Sequence, residues 1–422
     1  MRTRIFFMLF IAVMTSTAVG QEAGKDFGIK LSGFVKSDIF YDSRQTVSIR
    51  EGHFNLYPAN EMLDANGDDL NASPSFNMLS IQTRVNAKIT GPDAFGAKAS
   101  GVIEGEFFGT SDADVNGFRM RHAMAILDWE SASLLVGQTW HPMFVTEVFP
   151  GVISFNTGVP FQPFSRNPQI RFTKNFGGLK LIAAAMAERD FQSYGPDAAG
   201  NSVASSSFLR NSVIPNLHFQ AQYAGGGHIF GAGVDYKKLK PRLSNAMNVK
   251  VDESVTGISA LGYAKLDLAP LTLKLEGVLG NNLADLLMLG GYAVNAQDSI
   301  AIPNGYPTVA IAQEYSTINC YSVWGELIYG KDIELAVFAG YTQNLGAENA
   351  LSGKYYARGS NIHSISRVAP RIQWTSGKMR IATELEYTAA DYGTPVASNK
   401  GLVENTKSIS NMRLLVAVYY FF

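Results

Sequence analysis

Ile29-Lys30-Leu31-Ser32-Gly33-Phe34-Val35-Lys36-Ser37-Asp38-Ile39 alternates without a break. One side carries Ile29, Leu31, Gly33, Val35, Ser37 and Ile39; the other carries Lys30, Ser32, Phe34, Lys36 and Asp38. A period of two places these sets on opposite faces of a β-strand. Leu79, Ile81, Val85, Ala87 and Ile89 repeat the pattern against Ser80, Gln82, Arg84, Asn86 and Lys88. Similar runs recur near 97–109, 117–129, 133–140, 168–175, 179–188, 215–224, 228–238, 255–267, 271–280, 315–329, 333–343, 363–375, 378–390 and 408–422. Together they predict about sixteen strands, most of roughly ten residues or more, the length a tilted strand needs to cross a bilayer.

The connections alternate as well. Short ones, such as Gly91 to Gly96, Asn175 to Gly178, Gly225 to Gly227, Gly330 to Asp332 and Ser376-Gly377, take turns with long ones at 44–75, 141–167, 189–213, 239–254, 281–314, 344–362 and 392–407. So many long loops are abnormal in a compact soluble β-sandwich. Short periplasmic turns and long extracellular loops are instead the layout of an all-β transmembrane antiparallel barrel. At the end of the chain Met412, Leu414, Val416, Val418, Tyr420 and Phe422 form one apolar face, and the terminal aromatic residue resembles the sorting signature of bacterial outer-membrane proteins. Tyr223, Tyr236, Tyr263, Trp324, Tyr329, Tyr387 and Tyr420 fall near strand ends, where aromatic girdles form.

Composition excludes the main competitors. Apolar residues make up 46% of the chain and charged residues 17%, too apolar for disorder. Mean hydropathy is only +0.01, so the apolar residues are dispersed, and beyond the N-terminus no run approaches the ~18 a spanning helix needs. Residues 1–20 have the order of a secretory signal: Arg2 and Arg4, an apolar run from Ile5 to Met14, then small residues ending Ala18-Val19-Gly20. Residues 21–422 then form a single barrel domain. Without Arg2 and Arg4, 33 basic and 36 acidic residues remain, a net charge of −3 that offers no footprint for nucleic acid. Cys320 is the only cysteine, so no intrachain disulfide can form.

In a barrel the polar-bearing face points inward, because an Arg or Lys facing lipid at the midplane costs about 2–4 kcal/mol. That rule assigns to the lumen Lys30, Lys36, Asp38, Arg84, Lys88, Lys98, Glu104, Glu106, Arg119, Arg121, Arg171, Lys274, Glu276, Arg371, Arg380, Glu384, Glu386 and Arg413. A sixteen-stranded barrel so lined encloses a water-filled channel. Arg84 with Lys88, Glu104 with Glu106, and Arg119 with Arg121 lie on three successive strands, so acids sit between two basic rows. Such rows can steer an anionic solute, and they can equally form an ion-pair lattice that stiffens the wall.

The loop 141–167 is mostly apolar or aromatic and would be a sticky patch if exposed. It is therefore expected to fold into the lumen, with Phe149, Phe161 and Phe164 narrowing it and Glu147 and Arg166 as eyelet charges. The alternative is a loop packed over the rim or against a neighbouring subunit. Ala97, Ala99, Gly101 and Gly105 put small residues on the outer face of the third strand; with an outward His122 they suggest a subunit contact, although a bend in the barrel would also use them.

Other chemistry finds little support. No zinc-ligand spacing or His-Glu-x-x-His occurs, and Asp64, Asn66, Asp68 and Asp69 lack the Gly and Glu positions of an EF-hand, leaving at most a loose loop cation site. His122, His141, His218 and His363 are the candidate bases for a barrel hydrolase, but none lies in a nucleophile motif. The residues imply no metal, cofactor or catalytic group.

Four segments resemble the DcaP-like family of trimeric outer-membrane porins: Phe118-Arg119-Met120-Arg121-His122-Ala123, Val136-Gly137-Gln138-Thr139-Trp140, Arg166-Asn167-Pro168-Gln169-Ile170-Arg171-Phe172 and Asn282-Leu283-Ala284-Asp285-Leu286-Leu287. The resemblance implies a sixteen-stranded homotrimer in membrane lipid that passes small, often negatively charged solutes such as dicarboxylates. It also implies that Arg119, Arg121, Arg166 and Arg171 line or anchor the narrow zone. Some members carry a helical N-terminal extension; here the first strand begins within a few residues of Gln21, so no role of that extension is transferred. The competing reading is a non-transporting barrel, an adhesin or structural anchor; an outer-membrane enzyme ranks lower. The mature chain is expected to begin at Gln21, or at Val19 if cleavage follows Ala18, and the intact mass of the exported protein distinguishes these from an uncleaved chain.

Overall fold

A computed structural model describes residues 27–245, 247–300 and 309–422, and residues 1–20, expected to be a secretory signal, lie outside them. Sixteen antiparallel strands form one closed sheet. The first eight are β1 (Gly28–Asp42), β2 (in two pieces, Ser75–Leu79 and Arg84–Thr90), β3 (Lys98–Glu106), β4 (Arg119–Asp128), β5 (Ala132–Trp140), β6 (Arg166–Phe176), β7 (Leu179–Met186) and β8 (Asn216–Gly225). The rest are β9 (His228–Leu239), β10 (Val255–Leu268), β11 (Leu271–Asn281), β12 (Val309–Gly330), β13 (Ile333–Ala347), β14 (Ile362–Ser376), β15 (Met379–Val396) and β16 (Leu402–Phe421). Each pairs with its neighbours in sequence, and β1 closes the ring by pairing with both β2 and β16: Phe34 lies opposite Arg84 on one side and Phe421 on the other. Closure leaves no edge, and so no unsatisfied row of backbone amides in lipid.

The alternation sorts the faces as expected. Ile29, Leu31, Val35 and Tyr41 of β1 and Met412, Leu414, Tyr420 and Phe422 at the chain end are all exposed on the outside. Lys36, Asp38 and Asp42 of the same first strand are buried inside. Tyr223, Tyr329, Tyr387 and Tyr420 lie exposed, as a girdle requires, but Tyr263 and Trp324 are buried in the interior core.

Two bulges change which residues face inward. Between Phe34↔Arg84 and Asp38↔Leu79, β1 advances four residues while β2 advances five. One extra residue reverses the phase. Phe76 and Met78 therefore face out, whereas Ile81 is buried in the core and Leu79 packs against it, contrary to the outward placement that strict alternation gave both. In β4, Glu104 lies opposite His122 and Gly105 opposite Met120, leaving Arg121 as the extra residue. His122 consequently turns into the lumen, 3.6 Å from Glu104, and does not form part of an outer subunit contact. On the outer face of β3, Gly105 is covered by the ring of Phe118 and Ala97 is buried in the turn before the strand.

The ends of the barrel differ as expected, with one revision. β12, β15 and β16 are 22, 18 and 20 residues long, well beyond the roughly ten that cross lipid, so they project past the membrane. The 392–407 connection is accordingly mostly a continuing hairpin, paired through Val396↔Leu402. Inside the 281–314 connection a further strand, Gly290–Ile300, pairs with β12 and with Tyr355–Arg358.

Three segments fold into the barrel: the hairpin of Thr46–Ile49 and Phe54–Pro58, the loop 141–165, and residues 282–289. Phe54, Leu56, Phe108, Met143, Phe144, Phe161, Phe164, Leu286, Met288, Trp324 and Phe338 join in one apolar cluster. The interior towards the long loops is thus packed by these inward segments, and the loop 141–165 lies inside the barrel as expected. Open space remains towards the short turns, where Lys30, Lys88 and Lys98 are exposed.

Ile103 sits mid-strand on the outer face, 56% exposed. Ile103→Arg is expected to destabilise the folded barrel by about 2–4 kcal/mol in reversible unfolding from lipid bilayers, and Lys88→Leu, at the inner mouth, by much less.

Candidate functional site

The lumen charges come together most densely where β2, β3, β4 and β6 meet. Glu106 lies opposite both Arg84 and Arg119 in register, so its carboxylate receives arginines from two neighbouring strands. Arg119 Nη2 is 2.7 Å from Glu106 Oε1, Arg121 Nη1 is 2.6 Å from Oε2, and Arg84 Nη2 is 3.1 Å from Oε2. Arg121 Nε also donates to Glu104 Oε1 at 2.7 Å. Arg166 pairs with Asp190 at 2.7 Å, and Asp190 also reaches Arg119. Four guanidinium groups therefore meet three carboxylates, a lattice with a surplus of positive charge. Its members are mostly buried, so removal of one partner leaves an uncompensated charge at a cost of about 3–5 kcal/mol.

The loop 141–165 runs from this wall across the interior, and side chains of β1, β11, β12, β14 and β15 grip its backbone. Glu326 accepts the Gly151 N–H at 2.8 Å, and Glu384 accepts the N–H groups of Ile153 and Ser154 at 2.7 and 3.0 Å. Lys36 donates to the Ile153 carbonyl at 2.9 Å, Lys274 to that of Phe149 at 3.0 Å, and Arg367 to that of Val159 at 2.6 Å. Glu386 accepts from Asn156 and from Asn55 of the inward hairpin. These bonds satisfy a buried irregular backbone that has no ladder of its own.

Below the loop lies a cavity of about 380 Å³ bordered by Arg84, Glu104, Arg121 and Arg380, with Trp140, Phe144 and Phe149 contributing aromatic surface. Arg380 donates to Thr375 at 3.1 Å and lies over the rings of Tyr419 and Phe421. Among the described residues it forms no ion pair, so its charge faces the cavity uncompensated. A second cavity, of about 280 Å³, borders Glu147, Arg171, Lys180 and Gln220.

The remaining site residues from the sequence are distributed as follows. Lys88 and Lys98 stand at the exposed inner mouth. Arg171 borders the second cavity and donates to Gln169 at 2.9 Å. Lys274 and Arg371 both pair with Glu326. Glu276 is buried against Trp324 and forms no ion pair among the described residues, and Arg413 is buried on Asp42 at 2.6 Å. Phe149 and Phe164 border the larger cavity, whereas Phe161 is fully buried against Phe338. The expected eyelet pair is not brought together: Glu147 pairs with Lys180 at 2.7 Å, while Arg166 is 1% exposed within the arginine lattice. Sequence reasoning missed Gln82, His122, Gln373 and Tyr419 in the cavity wall and the wall carboxylates as loop clamps. Alternation placed Glu384 and Glu386 inside but carried no sign of what they would hold.

The histidines do not assemble a hydrolytic site. His141 accepts the Met143 N–H at Nδ1, so Nε2 bears the proton, bonded to Asn216 at 2.9 Å. His218 is held between Asp235 and Gln220, and His363 meets Gln343. Among the described residues no serine hydroxyl is hydrogen-bonded to a histidine. In the loop of 64–69, Asp64 accepts the N–H groups of Asn66 and Asp68, so the acids serve the turn itself.

A closed sixteen-stranded wall with its third long loop laid across the interior decides the architecture. The fold is that of an outer-membrane porin. It is similar to the outer-membrane channel DcaP of Acinetobacter baumannii, with a TM-score of 0.68, 17% identity, and coverage of 96% of this chain and 99% of that one. An anion-selective porin from Comamonas acidovorans matches with a TM-score of 0.54, 12% identity, and coverage of 94% and 100%. OmpT of Vibrio cholerae, lacking its loop L8, matches with a TM-score of 0.54, 10% identity, and coverage of 94% and 100%. No family model matches the sequence, and no curated protein matches it either. The resemblance read from four short segments therefore extends to the fold of the porin barrel over nearly all of its length.

Glu384 holds two amides of the loop, each charge-assisted bond worth about 1.5–3 kcal/mol. Glu384→Ala is expected to loosen the loop, giving a larger and noisier single-channel conductance than the parent while the barrel still resists heat in detergent.

Proposed function

We propose that this chain, exported by way of residues 1–20, is a passive outer-membrane porin for small hydrophilic anions, dicarboxylates among them, and works as a homotrimer without catalytic activity. The observation that carries the reading is the cavity beneath the loop, bordered by Arg84, Arg121, Arg380 and Glu104: Arg84 and Arg121 are paired with Glu104 and Glu106, and Arg380 adds a positive charge that no described carboxylate pairs. In a narrow, low-dielectric passage, fixed charge of one sign raises the local concentration of the opposite ion. Arg380 contributes most to selectivity because no described carboxylate neutralises it, whereas Arg84, Arg119, Arg121 and Arg166 are occupied by Glu104, Glu106 and Asp190 and act mainly as scaffold. Arg171 and Lys180 would extend the basic path through the second cavity, and Lys30, Lys88 and Lys98 would begin it at the inner mouth. The likeness of the fold to an anion-selective porin of Comamonas acidovorans agrees with this reading.

Planar-bilayer recording under a salt gradient tests it. A reversal potential favouring anions is expected, and Arg380→Glu should move it towards cations with little change in stability. A cation preference in the parent refutes the selectivity, and absence of current refutes the channel.

A further inference from the structure

On the outside of the barrel, at the long-loop end of β5, β6 and β7, lies an open apolar groove of about 720 Å³. Val136, Ile170, Ala185, Leu209 and Ile214 border it. Small residues, Gly137, Ala185 and Ala187, line it. Gly137 has no side chain and holds a φ of +138°, and Pro168, opposite Gln138, has no N–H to give to the ladder. The floor is therefore formed by small residues flanked by larger ones.

Two further features distinguish this groove from the rest of the apolar belt. Its upper rim carries Arg210, and Arg189 follows outward from Ala187, which also borders the groove. Both arginines are exposed, and neither makes an ion pair with a described residue. Beside them Val213 is 88% exposed at a φ of +65°, a costly conformation for a β-branched residue, fixed by Ser212 accepting the Ile214 N–H. In water that arrangement would be doubly unfavourable; against acyl chains the exposed valine is stabilising.

We propose that the groove is a lipid-binding site that seats one acyl chain of a phosphate-bearing anionic lipid of the outer leaflet, with its phosphate held by Arg210 and Arg189. The apolar floor lies below and the two free cations above, the order of chain and headgroup in a leaflet that faces the long loops. Arginine matches phosphate by paired N–H donors. The inference rests on the membrane reading above but not on conduction or selectivity.

The test places the full chain in bilayer discs of phosphatidylcholine doped with lipid A, extracts it in mild detergent, and measures retained lipid by native mass spectrometry. Retention of lipid A, but not of phosphatidylcholine, is expected for the parent. Arg189→Glu with Arg210→Glu should lower it about ten-fold, and Ala185→Trp, which fills the groove without altering charge, should lower it comparably, both with conductance unchanged. Undiminished retention in these variants, or equal retention of phosphatidylcholine, overturns the proposal. So does a disulfide between two copies of Val213→Cys that excludes lipid A, since a second chain would then cover the groove. A chain that never enters the discs instead overturns the membrane reading itself.

Discussion

Every other feature of this molecule depends on the closure of one hydrogen-bonded sheet. Phe34 pairs towards Arg84 on one side and Phe421 on the other, so the first strand is bonded along both edges and lipid meets no free amide. An open edge in hydrocarbon would cost several kcal/mol for each unsatisfied group. Once the ring is closed, the period of two leaves only two destinations for a side chain, hydrocarbon or interior. The charged residues are thereby forced into a small volume whether or not a solute needs them.

That crowding explains the interior. Charges confined in a low dielectric must be paired, and three solutions occur side by side. On the wall of β2, β3, β4 and β6 the arginines and glutamates pair with each other. Elsewhere around the ring Glu326, Glu384, Lys36 and Lys274 spend their hydrogen bonds on the backbone of the crossing loop. Arg380 is left facing open space. The stiffening reading of the charged rows is met by Arg84, Arg119, Arg121 and Arg166, which brace the wall through Glu104, Glu106 and Asp190, while Arg380 borders the cavity without an ion pair among the described residues.

Much of this was legible beforehand. The strand count, the lengths of the connections and the facing of Lys36, Arg84, Glu106 or Arg413 all follow from alternation, because exposing a charge to lipid is costly enough to fix register. The errors are equally specific. Leu79, Ile81 and His122 were assigned to the wrong face because each lies beside a single extra residue, and a bulge leaves no trace in a hydrophobicity pattern that continues on either side of it. Tyr263 and Trp324 were read as girdle residues by position along the strand, yet the inward loops supply enough apolar surface to bury them. Glu147 and Arg166 are both in the expected loop region but face different partners, which depends on where the chain turns within the barrel.

The sequence by itself determined that this protein is a barrel, how many times it crosses the bilayer and which faces are wet, since these follow from local periodicity and the energy of charge in lipid. Only the tertiary structure decided which lumen charges remain free. That outcome is set by contacts between residues hundreds of positions apart, such as Glu384 with Ile153 or Arg413 with Asp42, and by single-residue bulges that shift one strand against its neighbour. Pairing across such distances is a property of the closed ring and has no counterpart in any local stretch of the chain.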